Sequence, residues 1–314
     1  MQTECTSRET FEFGTSGRRQ VVARFDGGDI TSDAGVLLLR EVESKLGLFS
    51  RVAACFEDHR NPALIEHSVR DLVGQRIFGL ALGYEDLVDH DDLRLDPMLA
   101  VAVGKVDVKG EHRREARDRG KPLAGKSTLN RLELTKASAT KSERYKKIAL
   151  DGAALDDLFV DLFVESFDEP PTWIEIDLDA TDDPVHGRQE GRFFHGYYGN
   201  YCYLPLYVFC GEQLLCARLR TSSKDAAAGS VEEISRIVAR IRERFPKVEI
   251  LVRGDSGFCR EDLMAWCEGA GVWYLLGLAR NDRLVAMVED GLVEAERLSR
   301  EREAAARVYR ELEY

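Results

Sequence analysis

Residues 172–180, TWIEIDLDA, decide the fold of this chain. They follow Pro170 and Pro171 and alternate aliphatic with acidic side chains, a pattern typical of a buried strand with carboxylates on one face. Before the two prolines the apolar residues recur at helical spacing, and after them strand patterns begin. The prolines therefore mark the change from an all-helical first half to a region built on a sheet.

The segments after residue 180 complete an α/β pattern. Residues 192–220 contain two further strand-like runs, rich in aromatic and aliphatic residues and broken by glycines. A helix with one apolar face follows and ends at Pro246, where proline cannot continue it. Then come VEILVRGDSGF at 248–258, a second helix, and VWYLLGLA at 272–279. The order β-β-β-α-β-α-β predicts an α/β fold with a ribonuclease-H-like mixed sheet.

The length of 314 residues allows two domains with well-buried cores. We expect a polar tail over residues 1–25, a helical region over 26–168 and the sheet region over 169–314. No run approaches the roughly 20 apolar residues of a membrane span, and the first residues lack the apolar core of a signal peptide. The sequence therefore predicts a cytoplasmic protein.

The cysteines show no CxxC pair, and most lie within apolar runs. This distribution favours buried thiols in a reducing compartment over a zinc site or a disulfide framework. The seven cysteines are Cys5, Cys55, Cys202, Cys210, Cys216, Cys259 and Cys267.

Positive charge is concentrated in one segment of a chain whose net charge is −12. Residues 109–147 hold 13 Lys and Arg against 5 Asp and Glu. Such a segment can bind phosphates even on an acidic protein, because counterion release depends on the local contacts. Charge alone favours the alternative, a solvated linker. The candidate contacts to a DNA backbone are Arg113, Arg114, Lys121, Lys126 and Arg131.

Two acidic sites fall at positions where α/β sheets build active sites. Asp177 and Asp179 share one face of the first strand, and Asp255 follows the end of the fourth. If these strands are neighbours, Asp179 and Asp255 converge, and like charges at one place favour a bound cation. Hard oxygen ligands suit Mg²⁺ or Mn²⁺. By position alone, an acid at a strand end is more often a turn cap or an ion-pair partner, and Asp177 and Glu175 fit such structural roles.

At these residues the chain resembles a known family, the DDE transposases of bacterial insertion sequences. The resemblance runs from about residue 25 to residue 314 and rests on several long strings in the correct order. These strings are GYEDLVDHDDLRLDP at 83–97, PLAGKSTLNRLE at 122–133, IDLDATDDPVHGRQEG at 176–191, FFHGYYGNYCYLPLYVF at 193–209 and LVRGDSGF at 251–258.

The resemblance implies a catalytic core that cuts the ends of a mobile element and joins them to target DNA. Asp179, in an Asp-x-Thr pattern with Thr181, matches the first catalytic acid, and Asp255 matches the second. Both are then metal ligands, with two Mg²⁺ or Mn²⁺ ions expected in the complete active site. The helical first half and the segment 109–147 correspond to the part that binds the terminal repeats, and a homo-oligomer on double-stranded DNA is expected.

Further residues near these motifs are candidates for supporting roles. Possible contacts to DNA or to the scissile phosphate are His186, Arg188, Gln189 and His195. For His195 we favour a hydrogen-bonded structural role. Arg253 is expected to pair with a phosphate or, equally, with Asp177 or Glu175. The aromatic residues within 193–203 suit stacking on flipped bases, but packing in the core of the sheet is the favoured interpretation.

The end of the chain departs from the family pattern. The third acid of the family is a Glu in a Tyr-x2-Arg-x3-Glu-x6-Lys helix, whereas Tyr309 is followed three residues later by Leu312. The late acids Glu294, Glu296, Glu301 and Glu303 have the pattern of a surface helix. We therefore expect an N-terminal portion of a transposase that lacks the last catalytic acid and is silent on its own.

Three other functions remain open. A two-metal nuclease or resolvase of the same fold needs only water as its nucleophile, so it cuts DNA without joining it. A non-catalytic DNA-binding remnant agrees with the missing third acid. A purely protein-binding domain has only the acidic net charge in its favour.

Overall fold

The computed structural model describes residues 10–16, 19–24 and 31–313. The chain divides into two compact units, Met1–Leu155 and Asp156–Tyr314. This division lies earlier than the one expected at residue 168, because the helix that spans it packs largely with the sheet of the second unit. No helix in the described part of the chain is long and apolar enough to span a membrane.

Short helices around one apolar core form most of the first unit. The helices are α1 (Val36–Leu46), α2 (Leu48–Ala54), α3 (Val69–Ala81), α4 (His90–Leu93), α5 (Pro97–Val103) and α6 (Lys126–Glu133). The helix α3 begins with a capping box, in which Ser68 and Asp71 each accept a hydrogen bond from the other's backbone N–H. Phe49, Leu72 and Leu129 are almost fully buried between these helices.

The expectation of an all-helical first half is wrong, because four strands form two small sheets there. The strands are β1 (Thr10–Ser16), β2 (Arg19–Arg24), β3 (Phe56–Asp58) and β4 (Ile148–Leu150). The pair β1–β2 is a hairpin within the expected tail, and its flanking residues 1–9 and 25–30 lie outside the described residues. The pair β3–β4 joins distant three-residue segments, which are too short to show a strand period.

The second unit contains the predicted mixed sheet. Its strands are β5 (Trp173–Ala180), β6 (Asp183–Pro184), β7 (Phe193–His195), β8 (Asn200–Tyr203), β9 (Leu206–Cys210), β10 (Gln213–Arg218), β11 (Glu249–Gly254) and β12 (Trp273–Leu276). The main sheet has the order β10-β9-β5-β11-β12, with β9 antiparallel to β5 and β10. The strands β5, β11 and β12 are parallel. Three antiparallel strands followed by two parallel ones confirm the ribonuclease-H-like order.

Four strands, not the two predicted, occupy residues 192–220. The extra pair, β7 and β8, forms a separate three-stranded sheet with β6. Pro205 separates β8 from β9 because proline has no N–H to donate to a strand ladder. Gly199 closes the β7–β8 turn with a positive φ of 69°, and its N–H donates to the carbonyl of His195 at 2.8 Å. The apolar content of residues 192–220 alone therefore could not show that these strands belong to two different sheets.

Helices on one face of the main sheet bury its apolar side chains. They are α7 (Gly152–Glu165), α8 (Ser230–Arg244) and α9 (Glu261–Ala270), and α10 (Asp282–Met287) and α11 (Glu289–Arg302) follow them. Ile176 in β5 and Val252 in β11 are fully buried in the core that Ile237 of α8 joins. Because side chains alternate along a strand, the acidic residues of β5 lie on the opposite face.

The described cysteines are all free, which confirms the prediction of thiols, while Cys5 lies outside the described residues. Four of them are buried, namely Cys55, Cys202, Cys216 and Cys267. Burial raises the pKa of Cys216 to about 12 and that of Cys267 to about 11. These thiols therefore stay protonated at neutral pH and act as small apolar side chains.

Candidate active site

The register of two parallel strands brings Asp179 and Asp255 to the same edge of the sheet. In the pairing of β5 with β11, Leu178 lies level with Gly254. The next residue on each strand is an aspartate, and both aspartates are exposed. The predicted neighbourhood of the first and fourth strands is therefore confirmed.

Tyr198 lies next to the end of β5. Its hydroxyl donates a hydrogen bond to the carbonyl of Ala180 at 3.3 Å. Burial raises the pKa of Tyr198, and the negative charges of Asp182, Asp179 and Asp255 raise it further. Tyr198 therefore lies in the electrostatic field of all three carboxylates, and Asp182 joins the two predicted acids in that effect.

The turn after β11 fixes the orientation of Asp255. Its Oδ1 accepts a hydrogen bond from the N–H of Gly257 at 2.8 Å, and its carbonyl accepts one from the N–H of Phe258 at 3.1 Å. Phe258 is almost fully buried and anchors the turn in the core. A Cβ at residue 257 would lie 2.9 Å from Oδ1 of Asp255, so any larger residue there would displace this carboxylate.

Arg253 pairs with both carboxylates that precede the site on β5. Its Nε and Nη2 donate to Asp177 at 2.7 and 2.8 Å, and its Nη1 lies 2.7 Å from Oε2 of Glu175. Hydrogen bonds and charge from Asp177 raise the pKa of Arg253. Of the alternatives open for Arg253, the structure shows the ion pairs, so Asp177 and Glu175 share the positive charge of one guanidinium.

The loop candidates differ in how close they come to the carboxylates. His186, Arg188 and Gln189 are exposed between β6 and β7. The ring of His195 lies 5.0 Å from that of Tyr198, centroid to centroid. Its Nδ1 is buried with no hydrogen-bond partner among the described residues, so this nitrogen does not make the hydrogen bond of the favoured structural role. His195 therefore packs against the tyrosine that adjoins the carboxylates.

Core packing, the favoured interpretation of the aromatic residues within 193–203, is wrong for four of them. Phe193, Phe194, Tyr197 and Tyr201 are 46%, 59%, 87% and 50% exposed. The physical reason is that β7 and β8 belong to the small sheet, whereas the core helices cover the main sheet.

The donor set at the sheet edge is that of a hard divalent cation. Asp179 and Asp255 offer exposed carboxylate oxygens, and Asp182 adds a third negative charge that also accepts a hydrogen bond from Asn200 at 2.9 Å. Within the described residues, however, no group of three His, Cys, Asp or Glu side chains can hold a metal ion. The residues therefore fit an ion that is bound by two carboxylates and keeps much of its water.

The late glutamates are engaged elsewhere in the second unit. Three of them pair with nearby arginines, namely Glu294 with Arg310, Glu296 with Arg300 and Glu301 with Arg297. Glu303 ends α11 in a left-handed conformation with a φ of 49°. No metal-ligand group in the described residues includes any of the four.

A basic cavity of about 480 Å³ lies within the first unit. Seven Lys and Arg side chains and four Asp and Glu side chains line it, so positive charge is in excess. The basic residues of its wall are Arg60, Arg94, Arg113, Arg114, Arg117, Lys121 and Arg131. Three of these, Arg60, Arg94 and Arg117, were not singled out from the sequence. Arg117 lies in the predicted basic segment 109–147. Arg60 and Arg94 lie outside that segment, and only the fold brings them to the wall of the cavity.

Arg113 holds the wall of this cavity together. It lies 3.3 Å from Glu66, donates to Nε2 of His67 at 2.7 Å and donates to the carbonyl of Lys121 at 2.8 Å. Burial, and then the charge of Arg113, lowers the pKa of His67 to about 3. Because arginine only donates, the neutral imidazole carries its proton on Nδ1. Arg113 is therefore occupied by protein groups.

The other predicted DNA contacts are more accessible. The side chains of Arg114 and Lys126 are both 48% exposed, and Lys126 lies 3.1 Å from Asp91. Arg131 lies over the ring of Tyr145 at 5.7 Å. The ammonium of Lys121 donates to the carbonyl of Arg117, whose own side chain is 84% exposed. Arg114 and Arg117 are thus well placed to meet a phosphate from solvent.

Comparison with known proteins gives a family match and a similarity to solved structures. The family model described as Transposase DDE domain group 1 matches residues 13–314. The chain is also similar to a structure of the Mos1 transposase paired-end complex with left transposon end, at 11% identity and a TM-score of 0.24. That similarity covers 90% of this chain and 87% of the other. No curated protein matches the chain.

Proposed function

The chain belongs to the family Transposase DDE domain group 1, and on that premise we propose that it cuts the ends of a mobile DNA element and joins them to target DNA. The observation that supports the proposal is the register of two parallel strands, which brings Asp179 and Asp255 to the same edge of the sheet. Such strand ends are where open α/β sheets place their reacting groups.

Members of the family use divalent metal ions, and we assign Mg²⁺ or Mn²⁺ to Asp179 and Asp255, with two ions in the complete site. When bound, such ions stabilise the charge on the attacking and leaving oxygens of a phosphoryl transfer. The protein itself positions the carboxylates that would hold these ions. The N–H of Gly257 orients Asp255, and Arg253 neutralises Asp177. Asp179 and Asp255 lie beyond this ion pair, exposed at the sheet edge.

The basic cavity of the first unit supplies the contact to the DNA backbone in this proposal. Arg114 and Arg117 present their guanidinium groups to solvent, and guanidinium groups bind phosphate oxygens in pairs. Arg113 supports the wall that carries them. We further propose that the protein acts as a homo-oligomer on double-stranded DNA, since an element has two ends to be joined.

A non-catalytic DNA-binding role is the second candidate. One observation favours it, namely that within the described residues no third side chain completes a metal-ligand group with Asp179 and Asp255. A carboxylate pair with water holds a metal ion less firmly than a full ligand set does.

A strand-cleavage assay separates these functions. Labelled duplexes that carry the element's ends are incubated with the protein and with Mg²⁺ or Mn²⁺, and both cut and joined products are measured. The transposase proposal, unlike the expectation that the chain is silent on its own, predicts both products from the wild-type protein and neither from Asp255→Asn. Cutting without joining indicates a nuclease, and binding without cutting under either metal indicates the non-catalytic role.

A further inference from the structure

Four exposed aromatic rings lie on one hairpin, which we call the aromatic hairpin and define as residues 192–203. Tyr197 is the most exposed, at 87%, and Phe193, Phe194 and Tyr201 are each about half exposed. Large aromatic side chains usually gain stability by burial, so a cluster of exposed rings marks a surface that binds something.

The rings are held in a fixed arrangement. Phe194 and Tyr201 are register partners of β7 and β8, and their rings meet edge to face at 5.5 Å between centroids. The guanidinium of Arg192 lies 4.6 Å from the centroid of the Tyr201 ring. The ring of Tyr197 meets that of Tyr198 edge to face at 5.0 Å. Such preorganised rings lose little conformational entropy when a planar ligand binds.

Two hydrogen bonds fasten this hairpin to the strand end that carries Asp179. The hydroxyl of Tyr198 donates to the carbonyl of Ala180, the residue after Asp179. The side-chain amide of Asn200 donates to Asp182 at 2.9 Å. The hairpin that carries the exposed rings is therefore attached to the chain on either side of Thr181, directly after Asp179.

We propose that the aromatic hairpin binds unpaired bases of a DNA strand whose backbone lies at Asp179 and Asp255. This inference rests on the proposed function, because it takes DNA as the ligand of the carboxylate site. The bases stack on Phe194, Tyr197 and Tyr201, and the guanidinium of Arg192 contributes charge close to the strand.

The chemistry of the hairpin favours a single DNA strand over other ligands. Every base presents a flat π face, so aromatic rings accept any sequence. Arg188 and Arg192 lie within the same stretch of chain and supply positive charge next to an acidic sheet edge. In a duplex the base faces are stacked on each other, so only unpaired bases can use these rings.

The test compares two DNA ligands on the full chain. One is a blunt duplex, and the other is the same duplex with a short single-stranded extension that contains 2-aminopurine. We measure the Kd of each and the quenching of 2-aminopurine fluorescence, which reports stacking. Phe194→Ala combined with Tyr197→Ala is expected to weaken binding of the extended DNA by roughly tenfold or more and to abolish the quenching. Binding of the blunt duplex should not change.

Two controls keep the test specific. Tyr197→Trp removes the hydroxyl but retains a flat ring, so it should preserve the quenching. If Tyr197 acted only through its hydroxyl, this substitution would abolish the quenching. Tyr309→Ala removes another exposed tyrosine of the second unit, 80% exposed, and should leave both affinities unchanged. Circular dichroism establishes that each variant is folded.

The outcomes separate this inference from the proposed function. Equal binding of both ligands by the alanine variant and the wild type, with quenching intact, overturns the inference and leaves the proposed function standing. A change in oligomeric state by sedimentation, with DNA binding unaffected, also overturns it and assigns the hairpin to contact with a second copy. If the wild-type chain binds neither DNA, both the proposed function and this inference fall.

Discussion

Removal of one charge at the sheet edge should weaken the binding of a divalent metal ion. Asp255→Asn keeps the size of the side chain and an oxygen that can accept from the N–H of Gly257. The substitution therefore removes charge with little change of shape. Two unit charges about 4 Å apart in water attract by about 1 kcal/mol, so a divalent ion loses about 2 kcal/mol. Both aspartates are exposed, which makes the water value appropriate. We expect a loss of affinity of about 30-fold.

The assay is a titration with Mn²⁺ followed by electron paramagnetic resonance, which measures the free ion directly. Asp179→Asn should cause a loss of similar size, because both carboxylates lie at the same sheet edge. The matched control is Glu212→Gln, which removes an exposed charge at the β9–β10 turn and should leave the affinity unchanged. Equal losses in all three variants would show a general charge effect, and unchanged affinity in both aspartate variants would refute the assignment.

Two further predictions concern the first unit. Replacing both Arg114 and Arg117 with alanine should reduce the slope of log affinity against log salt concentration by about 2, since each phosphate contact contributes about 0.9. Arg244→Ala, in the second unit, is the control, and an equal change there would argue against a specific DNA surface. Burial lowers the pKa of His67 to about 3 and that of His90 to about 4, so the unfolded chain takes up protons before the folded one does. Urea unfolding should therefore show stability falling from pH 6.5 to pH 5, by about 1.4 kcal/mol per pH unit for each histidine, and a flat profile would contradict this.

The order of the main sheet was predictable because its strands are long apolar runs with clear boundaries. Two prolines lie between α7 and β5, Pro246 closely follows the end of α8, and glycine follows α9. The crossover helices then require β5 and β11 to be parallel, which aligns Asp179 with Asp255. The strands β3, β4, β6 and β7 were missed because two or three residues cannot show a period.

The surroundings of the carboxylates were less predictable. The choice of Arg253 between phosphate and the carboxylates of β5 depends on the register, which sets Asp177 directly beside it. Tyr198 and Asp182 were not singled out, although Asp182 stands in the string DATDD and Tyr198 in a glycine-flanked turn. The exposure of the rings of the aromatic hairpin follows from a three-stranded sheet that its composition does not reveal.

Excision of the mobile element that encodes the chain is the most direct test of the central claim, that Asp179 and Asp255 are the acids of a DNA transposase. A donor plasmid carries the element with its coding region intact, and excised donor sites are counted by quantitative amplification at matched protein levels. We expect excision with the wild-type gene and with Glu212→Gln, and none above background with Asp179→Asn or Asp255→Asn. Excision that persists at the wild-type level in either aspartate variant would contradict it.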